Sequence, residues 1–292
     1  MAKPIPKGMS DAMATEAVDD RFADLDQKSS LEIVSLINEE DRTVAEAVQK
    51  VLPEIAAAVN ILVDAFSKGG RLFYVGAGTS GRLGIVDASE CPPTYGTSPE
   101  MVQGIIAGGK SAMFQSREGC EDREPAGARD LGRRGVGPKD VVCALSCSGR
   151  TPYAMGALRK AKEVGARTLA VYCNPQGILS ELADVAIVPV TGPEVIAGST
   201  RMKAGTAEKM VLNMLTTAAM VRSGRVAGNM MTHMNVSCEK LRYRAAGIIM
   251  RRLGISAEDA AQRLADADDN LAVALGLSPC DVQKKEEACP TK

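Results

Sequence analysis

Five short runs decide what this chain can fold into. RLFYVGA (71–77), VQGIIAGG (102–109), DVVCALS (140–146), TLAVYC (168–173) and VAIVPV (185–190) are apolar almost throughout and rich in β-branched residues. Between them lie stretches with helical spacing at 80–89, 123–134, 152–164, a short one near 178–182 and a long one near 199–223. Strands that are apolar on both faces and alternate with helices predict a parallel sheet covered on both sides. The expected fold is therefore α/β, a doubly wound and mainly parallel five-stranded sheet of flavodoxin-like type. Ligands of such sheets bind beyond the carboxyl ends of the strands, so the loops that follow each strand are the places to look for chemistry.

The flanks read as additions to this sheet. Residues 1–28 are polar and dotted with proline, and are expected to form a flexible arm. Residues 29–61 predict N-terminal helices: Ser29 and Glu32 form a capping-box pattern, and Thr43 and Glu46 repeat it as the opening of a second helix. Pro53 is expected to kink or split that segment, and Gly69-Gly70 to end it. The sheet domain is expected over 62–225 and a smaller helical region over 226–277, with a capped helix starting at Ser256. Residues 278–292 are charged and are expected to form a disordered tail.

Composition narrows the function. Aromatic residues make up 3% of the chain, with no Trp, which argues against base-stacking nucleic-acid modules. The formal net charge is −1, with no basic block to attract DNA or an anionic membrane. No apolar leader and no membrane-length apolar stretch is evident, so the expected location is the cytoplasm. The eight cysteines are scattered without a C-x-x-C pair and read as reduced thiols rather than a zinc site. His233 is the single histidine. A His-based metal site is excluded, a Ser-His-Asp triad must use His233 or none, and acid–base work falls to carboxylates, Lys or Tyr.

The loop after the first run, Gly76-Ala77-Gly78-Thr79-Ser80-Gly81, is a literal G-x-G-x-x-G. A dinucleotide site would place an acidic residue at the end of the second strand, about 20 positions on. Glu100 precedes the second run instead, and that run ends in Ala107-Gly108-Gly109. Pro92-Pro93 is expected to stop the intervening helix early. Thr79 and Ser80 add hydroxyls to the N–H groups of Gly78 and Gly81 at a helix N-terminus, a combination suited to a phosphate monoester. The third run ends in a similar loop, where Ser146, Ser148, Gly149, Arg150 and Thr151 precede Pro152. Two such loops can converge on one phosphate; the plainer reading is that each is only a helix cap. A third stretch, Gly198 to Thr206, opens the long helix. Ser199 or Thr200 would cap it, and Arg201 and Lys203 would add positive charge.

Two carboxylates stand out. Glu90 is expected at the end of a short helix, partly buried against Pro92 and Pro93. Both circumstances favour the neutral, proton-carrying form that a general acid needs. Glu118, Glu121 and Asp122 follow the second run, and Glu121 could face the same crevice. Surface solvation is the plainer reading of each.

Together, RLFYVGAGTSGRLGIVDASECPPTYGT, MVQGIIAGG, EGCED, SGRTPY and GSTRMKAGTAEKMVLNM resemble the N-acetylmuramic acid 6-phosphate etherase family, from about Thr15 to about Leu275. That family is built on the sugar isomerase (SIS) domain. The resemblance implies cleavage of a D-lactyl ether by elimination and then hydration, giving N-acetylglucosamine 6-phosphate and D-lactate in the recycling of cell-wall sugar. It implies no metal or redox cofactor, a phosphosugar as the partner, and a homodimer with the site near its interface. Glu90 matches the family's acid and Glu121 its second catalytic carboxylate. Thr79, Ser80, Ser148 and Thr151 match the phosphate loops. Cys147 stands where the family more often has alanine, His233 and Cys238 are unusual in MTHMNVSCEKL, and the family's last helix is expected to be missing. The rival readings are a phosphosugar aldose–ketose isomerase and a non-catalytic phosphosugar sensor, and a sensor would not need both glutamates.

Overall fold

Residues 13–277 are described by a computed structural model of the chain. The five apolar runs form β1 (Leu72–Gly76), β2 (Val102–Ile106), β3 (Val141–Leu145), β4 (Arg167–Val171) and β5 (Val185–Ile187). They pair in parallel, in the order β2-β1-β3-β4-β5. Side chains alternate across each strand. Leu72 and Tyr74 of β1 and Val141, Cys143 and Leu145 of β3 enter one core, while Phe73, Val75, Val142 and Ala144 enter the other. That double burial is why the strand sequences lack a polar face.

The first core is closed by α1 (Ser30–Gln49), α2 (Leu52–Ser67), α3 (Gly78–Tyr95) and α6 (Lys203–Arg222). The second is closed by α4 (Glu124–Gly132) and α5 (Pro152–Glu163). The chain leaves β1 toward β2 and returns to β3 on the opposite side, so the topological switch point lies between β1 and β3. Beyond the sheet, a short hairpin (β6, Val226–Ala227; β7, Met230–Met231) leads to α7 (Glu239–Leu253), α8 (Ala257–Asp266) and α9 (Leu271–Ala274). These helices share a separate small core that includes Ile249, Leu264 and Leu271. The tail 278–292 lies outside the described residues.

Several expectations need correcting. The capping box at Ser29 forms, with Glu32 Oε2 accepting from the Ser29 N–H at 2.8 Å. Thr43 opens no helix: α1 runs through it, and its hydroxyl donates back to the Glu40 carbonyl at 2.7 Å. The break falls just before Pro53, which sits in the first turn of α2. The helix expected from Ser256 is interrupted at Asp268 and Asp269, both at positive φ. Pro92 and Pro93 do not end α3, which continues to Tyr95 and is closed by Gly96. Pro92 takes the helical donor from the carbonyl of buried Ala88 and Pro93 that from exposed Ser89, and the helix continues past both. The described part of the arm is not loose: Thr15 and Phe22 are buried, and Arg21 ion-pairs with Glu40 at 2.9 Å. Replacing Ser29 by Ala should cost about 1 kcal/mol, the usual loss for a cap, in a urea unfolding titration.

Candidate active site

A cleft of about 250 Å³ opens at the switch point. The loops after β1, β2 and β3 converge on it. From the first come Gly78, Thr79, Ser80 and Arg82; from the second Arg117, Glu118 and Glu121; from the third Ser146, Cys147, Ser148 and Thr151, with Thr200 and Glu16 completing the wall.

Around β3 the hydroxyls bond to one another. Ser146 Oγ lies 2.7 Å from Thr151 Oγ1 and 3.2 Å from Ser148 Oγ. Ser146 Oγ accepts from the Gly149 N–H, and Ser148 Oγ from the Arg150 N–H. Thr151, the N-cap of α5, makes no side-chain cap bond, and Ala77, the N-cap of α3, has no polar side-chain atom to make one. The reading of these loops as helix caps is therefore not what the geometry supports. Two helix N-termini and a hydroxyl cluster face one cleft, the arrangement that receives a phosphate. Ser80 Oγ lies 3.0 Å from Oε1 of Glu208, a fully buried residue of α6, and 3.7 Å from the Cys147 sulfur.

Other expected contacts are absent. Lys203 is buried, and its ammonium bonds Glu40 Oε2 at 2.5 Å. The Lys203 and Ala204 N–H groups each donate to the Glu194 carboxylate at 2.9 Å, so this carboxylate already caps α6. The helix begins at Lys203 with Met202 as N-cap, not at Ser199 or Thr200. Thr200 reaches the cleft and Ser199 does not. The Arg150 guanidinium turns away to the Gln176 carbonyl, at 2.8 and 3.1 Å. Gly81 and Gly149 shape the loops rather than line the cleft. A Cβ at Gly81 would sit 2.7 Å from Ile106, and one at Gly149 2.6 Å from the Tyr172 ring, with φ +68°.

The two glutamates are separated. Glu121 lines the cleft and is half-buried; its carbonyl accepts from the Tyr153 N–H at 2.9 Å. Glu90 is exposed, contrary to the expected burial, and lies inside α3 rather than at its end. It does not line this cleft. It is about 16 Å beyond Thr79 along the axis, at roughly 1.5 Å per residue, and shares a helix face with it.

Sequence reasoning missed Arg82, Arg117 and Glu16. Arg82 was legible, because i+3 from Thr79 puts it on the same helix face; its Nε donates to the Met113 carbonyl at 3.0 Å. Glu16 carried no local signal, since its neighbour Gly198 is far away in sequence. Among the described residues no group of three or more His, Cys, Asp or Glu is placed to hold a metal, and no helix is long and apolar enough to cross a membrane.

Solved structures share the fold. A phosphoheptose isomerase from Francisella tularensis superposes with a TM-score of 0.51 at 16% identity, covering 66% of this chain and 100% of that one. The E. coli CFT073 protein c3406 gives 0.50 at 18%, covering 69% and 97%. The family model of the SIS domain matches residues 113–218, and that of the glucokinase regulatory protein N-terminal SIS domain matches residues 54–162. Curated relatives are much nearer. The N-acetylmuramic acid 6-phosphate etherase of Symbiobacterium thermophilum is 53% identical over 90% of this chain and 87% of its own length. Those of Mesorhizobium japonicum and Clostridium beijerinckii are 50% and 46% identical, over 95% and 94% of this chain. At such identity over nearly the whole length, this chain belongs to the N-acetylmuramic acid 6-phosphate etherase family.

Proposed function

We propose that this protein cleaves the D-lactyl ether of N-acetylmuramic acid 6-phosphate, yielding N-acetylglucosamine 6-phosphate and D-lactate. The observation that carries the reading is the meeting of Glu121 with two uncapped, hydroxyl-bearing helix N-termini in one cleft. The N-termini of α3 and α5, with Thr79, Ser80, Ser146, Ser148 and Thr151, receive the 6-phosphate, and Arg82 and Arg117 add positive charge.

In the open-chain sugar the aldehyde acidifies the C2 proton. A carboxylate removes it, the C3–O bond breaks, and lactate leaves as its ether oxygen gains a proton from a carboxylic acid. Water then adds to C3 of the resulting double bond while C2 regains a proton. The sum is substrate plus water to amino-sugar phosphate plus lactate, with no net redox change, and two carboxyl groups suffice for it. Glu121 serves as the base and Glu90 as the acid.

Glu90 does not line the cleft of its own chain. Glu90 therefore acts in the cleft of a second copy, within a homodimer that brings the exposed face of α3 to the partner's site. Incubating the protein with the substrate should release D-lactate, measured enzymatically. Folded protein that releases none would overturn the reading. The same assay separates it from aldose–ketose isomerisation, which leaves the ether intact.

A further inference from the structure

Glu208 is used by no step above, yet it stands directly behind the phosphate loop. It is fully buried in α6, with Oε1 3.0 Å from Ser80 Oγ, and Oε2 has no hydrogen-bond partner among the described residues. An ionised carboxylate there would leave a charged oxygen unsolvated and unpaired, which is costly.

The protonation state also decides what Ser80 offers the cleft. A carboxylate can only accept, so it draws the Ser80 proton inward and leaves lone pairs facing a phosphate. A neutral carboxyl can donate its own proton to Ser80 Oγ, which frees the Ser80 O–H to donate to a phosphate oxygen.

We propose that Glu208 is a positioning residue whose neutral carboxyl turns the Ser80 hydroxyl toward the phosphate, so that phosphosugar binding requires a proton on Glu208. The proposal rests on the cleft being a phosphosugar site. Burial pushes the Glu208 carboxyl up to about 7, against the opposing pull of the Ser80 hydroxyl and the Cys147 thiol.

The groups facing Glu208 from the surrounding elements do not supply this proton. They are Ser80 on α3, Cys143 on β3, Cys147 after β3 and Cys173 after β4. Burial pushes all three thiols up, so they stay neutral. Asp87, the other buried carboxyl near Cys143, is satisfied by Tyr74, Asn213 and Thr216. His233 lies outside the cleft, and its burial and Arg225 push it down, so it is neutral at pH 8. The phosphate monoester is itself a full dianion there, its second ionisation lying at about 6.

The test is calorimetry with N-acetylglucosamine 6-phosphate at pH 8, in two buffers of different ionisation enthalpy. The wild-type protein should take up about one proton on binding. In steady state, KM for the etherase substrate should rise by roughly tenfold per pH unit above neutrality, while kcat does not follow it. Glu208→Gln, isosteric and permanently neutral, should abolish both the uptake and the rise. Binding without proton uptake, or a Glu208→Gln variant that keeps the alkaline rise in KM, would overturn the proposal. Should the variant fail to fold, the wild-type calorimetry decides alone. No binding at any pH would remove the phosphosugar reading as well, which distinguishes the two failures.

Discussion

Replacing Glu121 by Gln lowers kcat by about 10²–10⁴-fold while the variant still binds N-acetylglucosamine 6-phosphate, because general acid–base groups contribute on that scale. Glu121 lines the chain's own cleft together with Glu16 and Glu118, and is fixed there through its carbonyl and the N–H of Tyr153 at the start of α5. Glu90→Gln should be similarly impaired, although Glu90 is exposed and remote in the single chain. The decisive measurement mixes the two variants. In a mixed dimer, one cleft holds an intact Glu121 and the partner's Glu90, so mixing restores lactate release that neither variant has alone. Mixed, associated chains that stay as inactive as the separate variants would refute catalysis across the interface. A Glu90→Gln enzyme with near wild-type turnover would remove Glu90 from the mechanism altogether.

Gly127→Ala should be the most damaging small substitution in the fold. Helices α4 and α5 cross backbone to backbone: a Cβ at Gly127 would lie 1.8 Å from the Tyr153 carbonyl oxygen, and one at Gly156 2.0 Å from that of Glu124. No flexible side chain can yield there, so the helices must part and open the core that they close. A loss of about 3 kcal/mol or more is expected, at or above the usual range for overpacking, read from urea unfolding. Because α4 follows Glu121 directly and α5 begins beside it, activity should fall with stability. Gly247→Ala is the control. It sits exposed inside α7 with nothing near its missing Cβ, and should stabilise the protein by about 1 kcal/mol on helix propensity alone. A Gly127→Ala protein as stable as wild type would refute the close crossing.

The strands were legible because each is buried on both faces and so carries an unbroken apolar run. The hydroxyl loops were legible because they follow those strands directly. What the sequence hid depends on distant partners. Lys203 beside a helix start looks like an anion ligand, and only Glu40, 163 positions away, shows that its charge is already spent. Glu208 in an otherwise ordinary helical stretch gives no local sign that it faces Ser80 across 128 positions. Pro92 and Pro93 misled for a different reason: they fall in the last turn of α3, where only the carbonyls of Ala88 and Ser89 lose their helical donors.

The position of α6 has a consequence for synthesis. All five strands have been made once residue 187 has left the ribosome, but the helix that packs against α1, α2 and α3 over one face of the sheet starts only at Lys203. Until Met220 emerges, that face lacks Val211, Leu212, Leu215 and Ala219, all buried in the finished protein. The nascent chain thus passes through an interval in which its sheet is complete but the core on one face is still open where α6 will pack, a surface of the kind that chaperones bind. A ribosome pausing while residues 188–220 are still inside its exit tunnel would prolong that interval, whereas a pause after α6 has emerged would not.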